Sequence, residues 1–492
     1  MTEITKENFL KLIPKYVIDL GESLQKNNFE AFLVGGSIRD IFLNKTPQDF
    51  DIATNATPEE IIKIFPKSIP TGAKFGTITV VTQDESGESF DVQITTYRSE
   101  ADYVGGRWPS KVEFSKTIDE DLSRRDFTIN AMALNIQKFD EELIDIRTII
   151  IDPFYGLRDL DQKLIKAVRD PIERLSEDGL RAVRACRLAS QLEFTIDPQT
   201  FEAIKRTNHI TKLISVERFR EEFMKILLKS SKPSVGIRLL ADAGILEIFI
   251  PELLEGRNVV QPQFHTDDVF EHSLKACDIA EDSIKVSALF HDIGKPRTQT
   301  EDEKGIHFYG HDVVSAEMTE DIMKRLKFSN NEIDRVVKLV RWHMFYYPSA
   351  DWRKTNDESS YAKASEDKLG WTDGAIRRLV QNVGGVDAIN DLMKLRIADA
   401  ESNPKNGFNP KELDELSERV SSVISKEMAL KVTDLDINGE DLVSNFGLER
   451  GPEVGKILKY LLDKVVDEPL LNKKEDLLKL AKEYLANEGM KE

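Results

Sequence analysis

The apolar run at residues 31–34 stops at Gly35-Gly36, and the residues beyond it resume at helical spacing. A buried strand, a tight turn and a helix are what such a run, a double glycine and a change of period predict. Further strand-like runs at 49–53, 77–82, 90–97 and 130–135, with a helical stretch at 58–65, extend this beginning into a mixed sheet with helices. An amphipathic segment, 9–25, precedes it. From Asp170-Pro171, a helix-start pair, the pattern turns helical almost without a break, and Leu180, Val183, Ala185 and Leu188 recur near helical spacing. The expected fold class is therefore α+β, an N-terminal mixed sheet followed by an all-α remainder. At 492 residues the chain has room for roughly three domains.

The strongest local signal follows the double glycine. Gly35-Gly36-Ser37-Ile38-Arg39-Asp40 leads through a short helix to Asp49-Phe50-Asp51-Ile52-Ala53. Residues two apart in a strand face the same side, so Asp49 and Asp51 should project together while Phe50 and Ile52 pack beneath. Two convergent carboxylates suit hard cations, and two Mg²⁺ ions can activate a hydroxyl and stabilise a leaving pyrophosphate. That chemistry is nucleotidyl transfer. The glycine turn lets helix amides approach a triphosphate with no Cβ in the way. A D-x-D triplet by itself is commonly a turn; its position after the double glycine makes the combination specific.

Histidine is confined: of seven, six lie between His265 and His343, which marks a separate chemical unit. Charge is uneven too. The formal net charge is -19, arguing against a uniformly basic nucleic-acid coat. Residues 205–238 nevertheless hold nine Lys/Arg and three Glu, the best candidate for phosphate-backbone contact, although a solvated helix face is the commoner meaning of such a segment. Charges interrupt the first twenty residues, and no long uncharged apolar run occurs, so neither a secretory signal nor a membrane span is expected. Cys186 and Cys277 cannot build a disulfide framework, and a reducing cytoplasm is the expected setting. Residues 351–371, dense in Asp, Ser, Lys and Asn, read as an exposed insertion.

Taken in order, the glycine motif, Asp49-x-Asp51, Arg124-Arg125-Asp126-Phe127-Thr128-Ile129-Asn130-Ala131, Asp152-Pro153-Phe154 with Gly156 and Asp159-Leu160, and Glu177-Asp178-Gly179-Leu180-Arg181 resemble the motifs of the bacterial and eukaryotic class of CCA-adding enzymes, the tRNA nucleotidyltransferases. The resemblance implies addition of CCA to tRNA from CTP and ATP without a nucleic-acid template. It implies a head domain at 1–150, a neck and body at 151–260, an HD domain at 261–410 and a helical tail at 411–492. Asp49 and Asp51 would be catalytic and hold Mg²⁺; Gly35, Gly36, Arg39, Arg124, Arg125, Asp126, Asn130, Asp178, Arg181, Arg184 and Arg187 would bind nucleotide. Asp126 would meet the ribose. Asp178 and Arg181, three apart on a helix, would share a face and imitate a Watson–Crick edge; an isolated D-x-x-R would otherwise read as a surface salt bridge. The tRNA backbone would meet Arg206, Lys212, Arg218, Arg220 and Lys225. Where the family often has Glu, this chain has Gln93, so that either Asp91, on the same strand face, assists the chemistry or Gln93 orients substrate. Residues 98–111 resemble the flexible loop of full CCA-adding and A-adding enzymes. The extra basic motif of bacterial poly(A) polymerases has no match in Gly72-Ala73-Lys74-Phe75-Gly76-Thr77.

His272, His291-Asp292 and Asp399 match the ligand order of HD-type metal phosphohydrolases, with His311 and His343 as additional candidates. Imidazole with carboxylate suits Mn²⁺, Ni²⁺, Co²⁺ or Fe²⁺. Lys295 is placed to meet a substrate phosphate. His265 and His307 read as ordinary surface or core residues. The competing expectations are addition of the terminal A alone, or a phosphohydrolase whose N-terminal half only binds RNA.

Overall fold

The computed structural model describes residues 9, 11–84, 86–104, 108–136, 146–261, 267–303, 305–345, 371–403, 411–424 and 432–488. The chain divides into two compact units, Met1–Phe249 and Ile250–Glu492.

The first unit opens with the helix Lys15–Lys26 and then builds strands β1 (Phe32–Val34), β2 (Asp51–Thr54), β3 (Ser68–Gly72), β4 (Thr77–Gln83), β5 (Ser89–Thr96), β6 (Arg98–Val104), β7 (Trp108–Phe114), β8 (Ala133–Asn135) and β9 (Ile150–Ile151). Seven of them form one sheet in the order β3-β4-β5-β2-β1-β8-β9, while β6 and β7 pair as a separate hairpin. Strand β1 lies between antiparallel neighbours β2 and β8. The sheet is mixed because β2 and β5 run parallel, which sets Asp51 opposite Gln93. The parallel pair requires a crossover. The helix Pro58–Ile64 supplies its first part, started by a capping box between Thr57 and Glu60. Phe32, Val34, Ala53, Tyr97, Ile118, Leu122 and Ala133 form the core under the site.

The sequence expectation needs local correction here. The 49–53 strand pairs only from Asp51, and the 130–135 strand is split into a 3-10 turn, Thr128–Asn130, followed by β8. β3 and the β6–β7 hairpin had no strand expectation, since Pro70 and Pro109 interrupt their pattern.

Beyond residue 170 the unit is helical. Asp170 caps the backbone of Glu173 ahead of Pro171, and Asp197 caps Thr200 ahead of Pro198. Between the helices Pro171–Glu177 and Leu180–Leu192 the chain breaks at Asp178-Gly179. Gly179 has no alternative there: a Cβ would stand 2.6 Å from the Ile210 carbonyl oxygen. The helix Leu180–Leu192 buries Leu180, Val183, Ala185 and Leu188, the residues whose spacing announced it.

Among the described residues of the second unit, buried side chains gather into hydrophobic clusters. One gathers Ala288, Leu339, Val380, Leu392 and Leu416; another, nearer the C-terminus, gathers Leu442, Ile457, Leu461 and Leu477. Among the described residues, no helix is long and apolar enough to cross a membrane. The expected insertion, except for Trp371, and His265 lie outside the described residues.

Candidate active site and metal centre

The turn after β1 is Gly35 at φ +81°, and a Cβ there would lie 3.1 Å from Arg125 Nη1 and 3.6 Å from Asp51 Oδ2. The backbone must therefore pass close to both groups, which only glycine allows without strain. Asp51 starts β2; Asp49 is exposed just ahead of it, while Phe50 and Ile52 are buried, so the alternation places both carboxylates away from the core. Burial raises the Asp51 pKa, with Arg125 pulling it down and the Asp49 charge adding to the rise. A cation beside the pair would relieve that cost, so the residues fit a divalent ion.

One cavity of about 700 Å³ takes in Asp51 and every residue expected to bind nucleotide. Its walls carry eight arginines against three carboxylates, in a chain of net charge -19. Such a wall suits a polyphosphate. Asp126, buried, accepts from Phe127 N at 2.8 Å and Asn130 Nδ2 at 3.1 Å, and pairs with Arg184 Nη2 at 3.0 Å. Asn130 in turn accepts from Arg39 at 2.7 Å. Burial works against the Asp126 charge, but Arg184 and Asn130 outweigh it and hold the pKa low. Asp121, also buried, is held low in the same manner by Arg124 and Arg125 and so anchors both guanidinium groups.

The Asp178–Arg181 pair differs from the expected helix face. Asp178 is extended (φ -141°) in the break between helices, not within one. Gly179, which follows at φ -59° and ψ -20°, packs where the Ile210 carbonyl leaves no room for a Cβ. Asp178 Oδ2 and Oδ1 accept from Arg218 at 2.8 and 3.2 Å, and Arg181 donates to the carbonyls of Arg174 at 2.6 Å and Arg124 at 3.0 Å and pairs with Glu177. Arg174, absent from the sequence expectations, is buried and spans from the neck to Ser123 O at 2.7 Å and Arg124 O at 3.1 Å. Arg187 pairs with buried Glu222, tying the neck to the helix Val216–Lys229.

Of the five residues expected on the RNA surface, Arg218 needs correction. It lines the cavity and forks onto Asp178, with a side chain only 18% exposed. Lys212 is exposed; Arg206 and Lys225 are exposed beside Glu202 and Glu222; Arg220 is half-buried. Gln93 lines the cavity and Asp91 does not. Gly72, Phe75, Thr77, Thr95 and Arg98 also line it, with no role expected from the sequence; Thr77 and Thr95 hydroxyls meet at 3.1 Å across paired strands, a signal available only once register is known. The β6–β7 hairpin occupies the expected loop, whose residues 105–107 lie outside the described set.

In the second unit, His272 lies on the helix Val269–Ile279, His291-Asp292 follow Lys285–Phe290, His311 opens His311–Arg325, His343 closes Asn330–Trp342 and Asp399 lies on Val386–Ser402. Four imidazoles turn Nε2 toward Asp292: His272 and His291 are 3.4 and 3.2 Å from Oδ2, His311 and His343 3.3 and 3.6 Å from Oδ1. Asp399 Oδ1 lies 3.1 Å from His272 and 3.5 Å from His291. The Nδ1 atoms of His291, His311 and His343 face the carbonyls of Ala288, Phe308 and Val340 at 2.7 to 2.8 Å. Donation to those carbonyls turns each Nε2 inward, where its lone pair binds metal once any proton has left it. Those three Nε2 atoms are buried without a hydrogen-bond partner among the described residues, so the site fits a metal ion. Lys295 Nζ lies 2.6 Å from Asp292 Oδ2 and 2.7 Å from Gln261 Oε1. His307 instead pairs with exposed Asp302.

A mixed sheet carrying a carboxylate pair beside an arginine-walled cavity, joined to a helical half with a histidine–aspartate cluster, defines a nucleotidyltransferase with an HD domain. Family descriptions match accordingly: "Poly A polymerase head domain" over 31–166, "Probable RNA and SrmB- binding site of polymerase A" over 193–256, "HD domain" over 265–384 and "tRNA nucleotidyltransferase domain 2 putative" over 390–481. The CCA-adding enzyme of Ligilactobacillus salivarius is 31% identical over 493 residues, 99% of each chain. That of Lactobacillus helveticus is 44% identical over 218 residues, 44% of this chain and 50% of the relative. A solved Bacillus stearothermophilus CCA-adding enzyme in complex with CTP shares the fold at TM-score 0.64 and 24% identity, covering 96% of this chain and 98% of that one. The chain belongs to the CCA-adding enzyme family.

Proposed function

We propose that this chain adds CCA to the 3′ end of tRNA, using CTP and ATP, and that its cavity serves both nucleotides. The observation that carries the reading is that Asp51, the phosphate-suited arginines and the Asp178–Arg181 pair share one cavity. Asp49 and Asp51 would hold Mg²⁺, which would supply Lewis acidity for nucleotidyl transfer. The other roles belong to side chains. Arg39, Arg124, Arg125 and Arg184 neutralise the triphosphate, Asp126 accepts from the ribose, and Gln93, opposite Asp51, orients substrate. Asp178 accepts and Arg181 donates at the base edge, with Arg218 holding the Asp178 carboxylate in place. The tRNA backbone runs along Arg206, Lys212, Arg220 and Lys225, within a division into head (1–150), neck and body (151–260), HD domain (261–410) and tail (411–492). Purified protein given tRNA transcripts ending at the discriminator base, after CC, or after CCA, with labelled CTP and ATP, tests this reading. CTP incorporation on the first substrate is expected; ATP incorporation on the second alone would mean A addition.

We further propose that the HD domain hydrolyses phosphate esters. Inward Nε2 atoms without a hydrogen-bond partner among the described residues support it, and His272, His291, Asp292 and Asp399 would hold Mn²⁺, Ni²⁺, Co²⁺ or Fe²⁺. When bound, such an ion would supply Lewis acidity for hydrolysis of a phosphate ester. Lys295, within reach of the cluster, would meet the substrate phosphate. A cytoplasmic setting agrees with two buried cysteines whose thiols burial pushes up to about 12.

A further inference from the structure

Arg174 is buried on the helix Pro171–Glu177 and does not itself line the arginine cavity. A guanidinium in such a place must satisfy its donors within the protein. Its Nη2 donates to Ser123 O at 2.7 Å, and its Nη1 donates to Arg124 O at 3.1 Å and to Glu177 Oε2 at 2.6 Å. Two of these acceptors are shared. Arg181 Nη2 donates to the same Arg124 carbonyl at 3.0 Å, and Arg181 Nη1 pairs with the same Glu177 oxygen. Arg181 Nη1 also donates to the Arg174 carbonyl at 2.6 Å, one of the last-turn carbonyls that a helix leaves open at its end. Helical backbone ends at Glu177 and resumes at Leu180, so these side-chain bonds carry the orientation of Arg181 across the break. A guanidinium is planar, and donation from both Nη atoms to three acceptors fixes its plane.

We infer that Arg174 is a positioning residue for nucleotide choice: through the Arg124 carbonyl and the Glu177 carboxylate it sets the Arg181 fork against the stretch that carries Arg124, Arg125 and Asp126. Those three residues and Arg181 line one cavity, so the clamp fixes the distance between the groups that meet phosphate and ribose and the group that meets the base edge. The guanidinium groups of Arg124 and Arg125 are anchored on Asp121, and that anchor does not pass through Arg174. Loss of Arg174 therefore loosens base reading and spares phosphate binding. The inference rests on the reading in which Asp178 and Arg181 meet the base, and it concerns binding preference, which is measured without turnover.

The test is calorimetric titration of the full chain with CTP, ATP, UTP, GTP and inorganic tripolyphosphate. Wild-type protein is expected to bind CTP and ATP more tightly than UTP and GTP. Arg174→Gln should lower that preference roughly tenfold, the scale of one lost charged hydrogen bond, with tripolyphosphate affinity unchanged. Arg174→Lys keeps the charge but not the fork and should move the preference in the same direction; it takes the place of the Gln variant if circular dichroism shows that one unfolded. A strut that only holds the helices together would lower thermal stability and all five affinities in step. That result, full preference in the folded variants, or a wild-type chain with no preference would overturn the inference. A preference that Arg174 variants lose, in a wild-type chain that adds neither CTP nor ATP to tRNA, would instead defeat the CCA-adding reading and leave the role of Arg174 standing.

Discussion

The arginine cavity and the histidine cluster solve opposite problems. In the cavity nearly every described charge already has a counter-charge from the chain itself: Asp126 with Arg184, Asp121 with Arg124 and Arg125, Asp178 with Arg218, Arg187 with Glu222. In the cluster, three imidazole nitrogens are oriented and left without partners among the described residues. A site for large anions that come and go must keep its charges satisfied in their absence, because a desolvated unpaired charge is costly. A site for a small retained cation can leave lone pairs open, since the cation stays. The difference predicts graded losses in the cavity and stepwise losses in the cluster.

The largest effect expected is at Asp51. Asp51→Asn should lower nucleotide addition by about 10³-fold or more, the equivalent of several kcal/mol of transition-state stabilisation, with tRNA binding retained. Wild-type turnover would remove Asp51 from the chemistry.

Arg218 sharpens the comparison next. Arg218→Gln removes the guanidinium fork from Asp178 and leaves it the Leu180 backbone N–H, and charged hydrogen bonds of about 1.5–3 kcal/mol correspond to roughly a tenfold or greater fall in discrimination between CTP and ATP. The salt dependence of tRNA binding should not change. A flattened salt slope with intact selectivity would return Arg218 to the RNA surface.

That residue also marks where the sequence stops being legible. The ligands at 35–51 and the helix start at Asp170-Pro171 are local patterns, and periodicity or capping chemistry suffices to read them. Arg218 and Asp178 are forty residues apart, and Arg174 reaches carbonyls of Ser123 and Arg124 some fifty residues away; no spacing rule announces a contact made by folding. The spacing of Asp178 and Arg181 reads as one helix face, whereas the fold holds Asp178 extended with its carboxylate on Arg218. The histidine cluster was the more legible site because its residue types are scarce: six of seven histidines lie in one stretch, whereas arginine is everywhere.

A smaller effect is expected on the exposed basic face. Arg206, Lys212, Arg220 and Lys225 replaced together by Gln should weaken tRNA binding and reduce its salt slope by about 0.7–0.9 for each phosphate no longer neutralised, measured by filter binding across salt. An unaltered slope would make this an ordinary solvated face.

The smallest effect is protonic. Burial opposes the charge on His291, but Asp292 and Asp399 outweigh it and raise its pKa to about 10 in the metal-free site. A proton held there contributes stability fully present below the ordinary value near 6.5 and lost as pH rises through about 10. Metal must displace that proton, so affinity should rise with pH across 7–9, with about one proton released from His291 on metal binding. Calorimetry in buffers of different ionisation enthalpy measures it. Absence of proton release would mean that His291 is already neutral.

The contrast between the two sites is tested most directly by one paired assay. Wild-type protein, Asp51→Asn, and His291→Ala with Asp292→Ala are each given tRNA lacking CCA with labelled CTP and ATP, and separately a metal-loaded phosphodiesterase assay on 2′,3′-cyclic AMP and a generic diester. The account predicts that the first variant loses addition and keeps hydrolysis, while the second loses hydrolysis and keeps addition, because the ligand sets differ in hardness and share no residue. Loss of nucleotide addition in the His291/Asp292 variant, with its fold intact by circular dichroism, would contradict it.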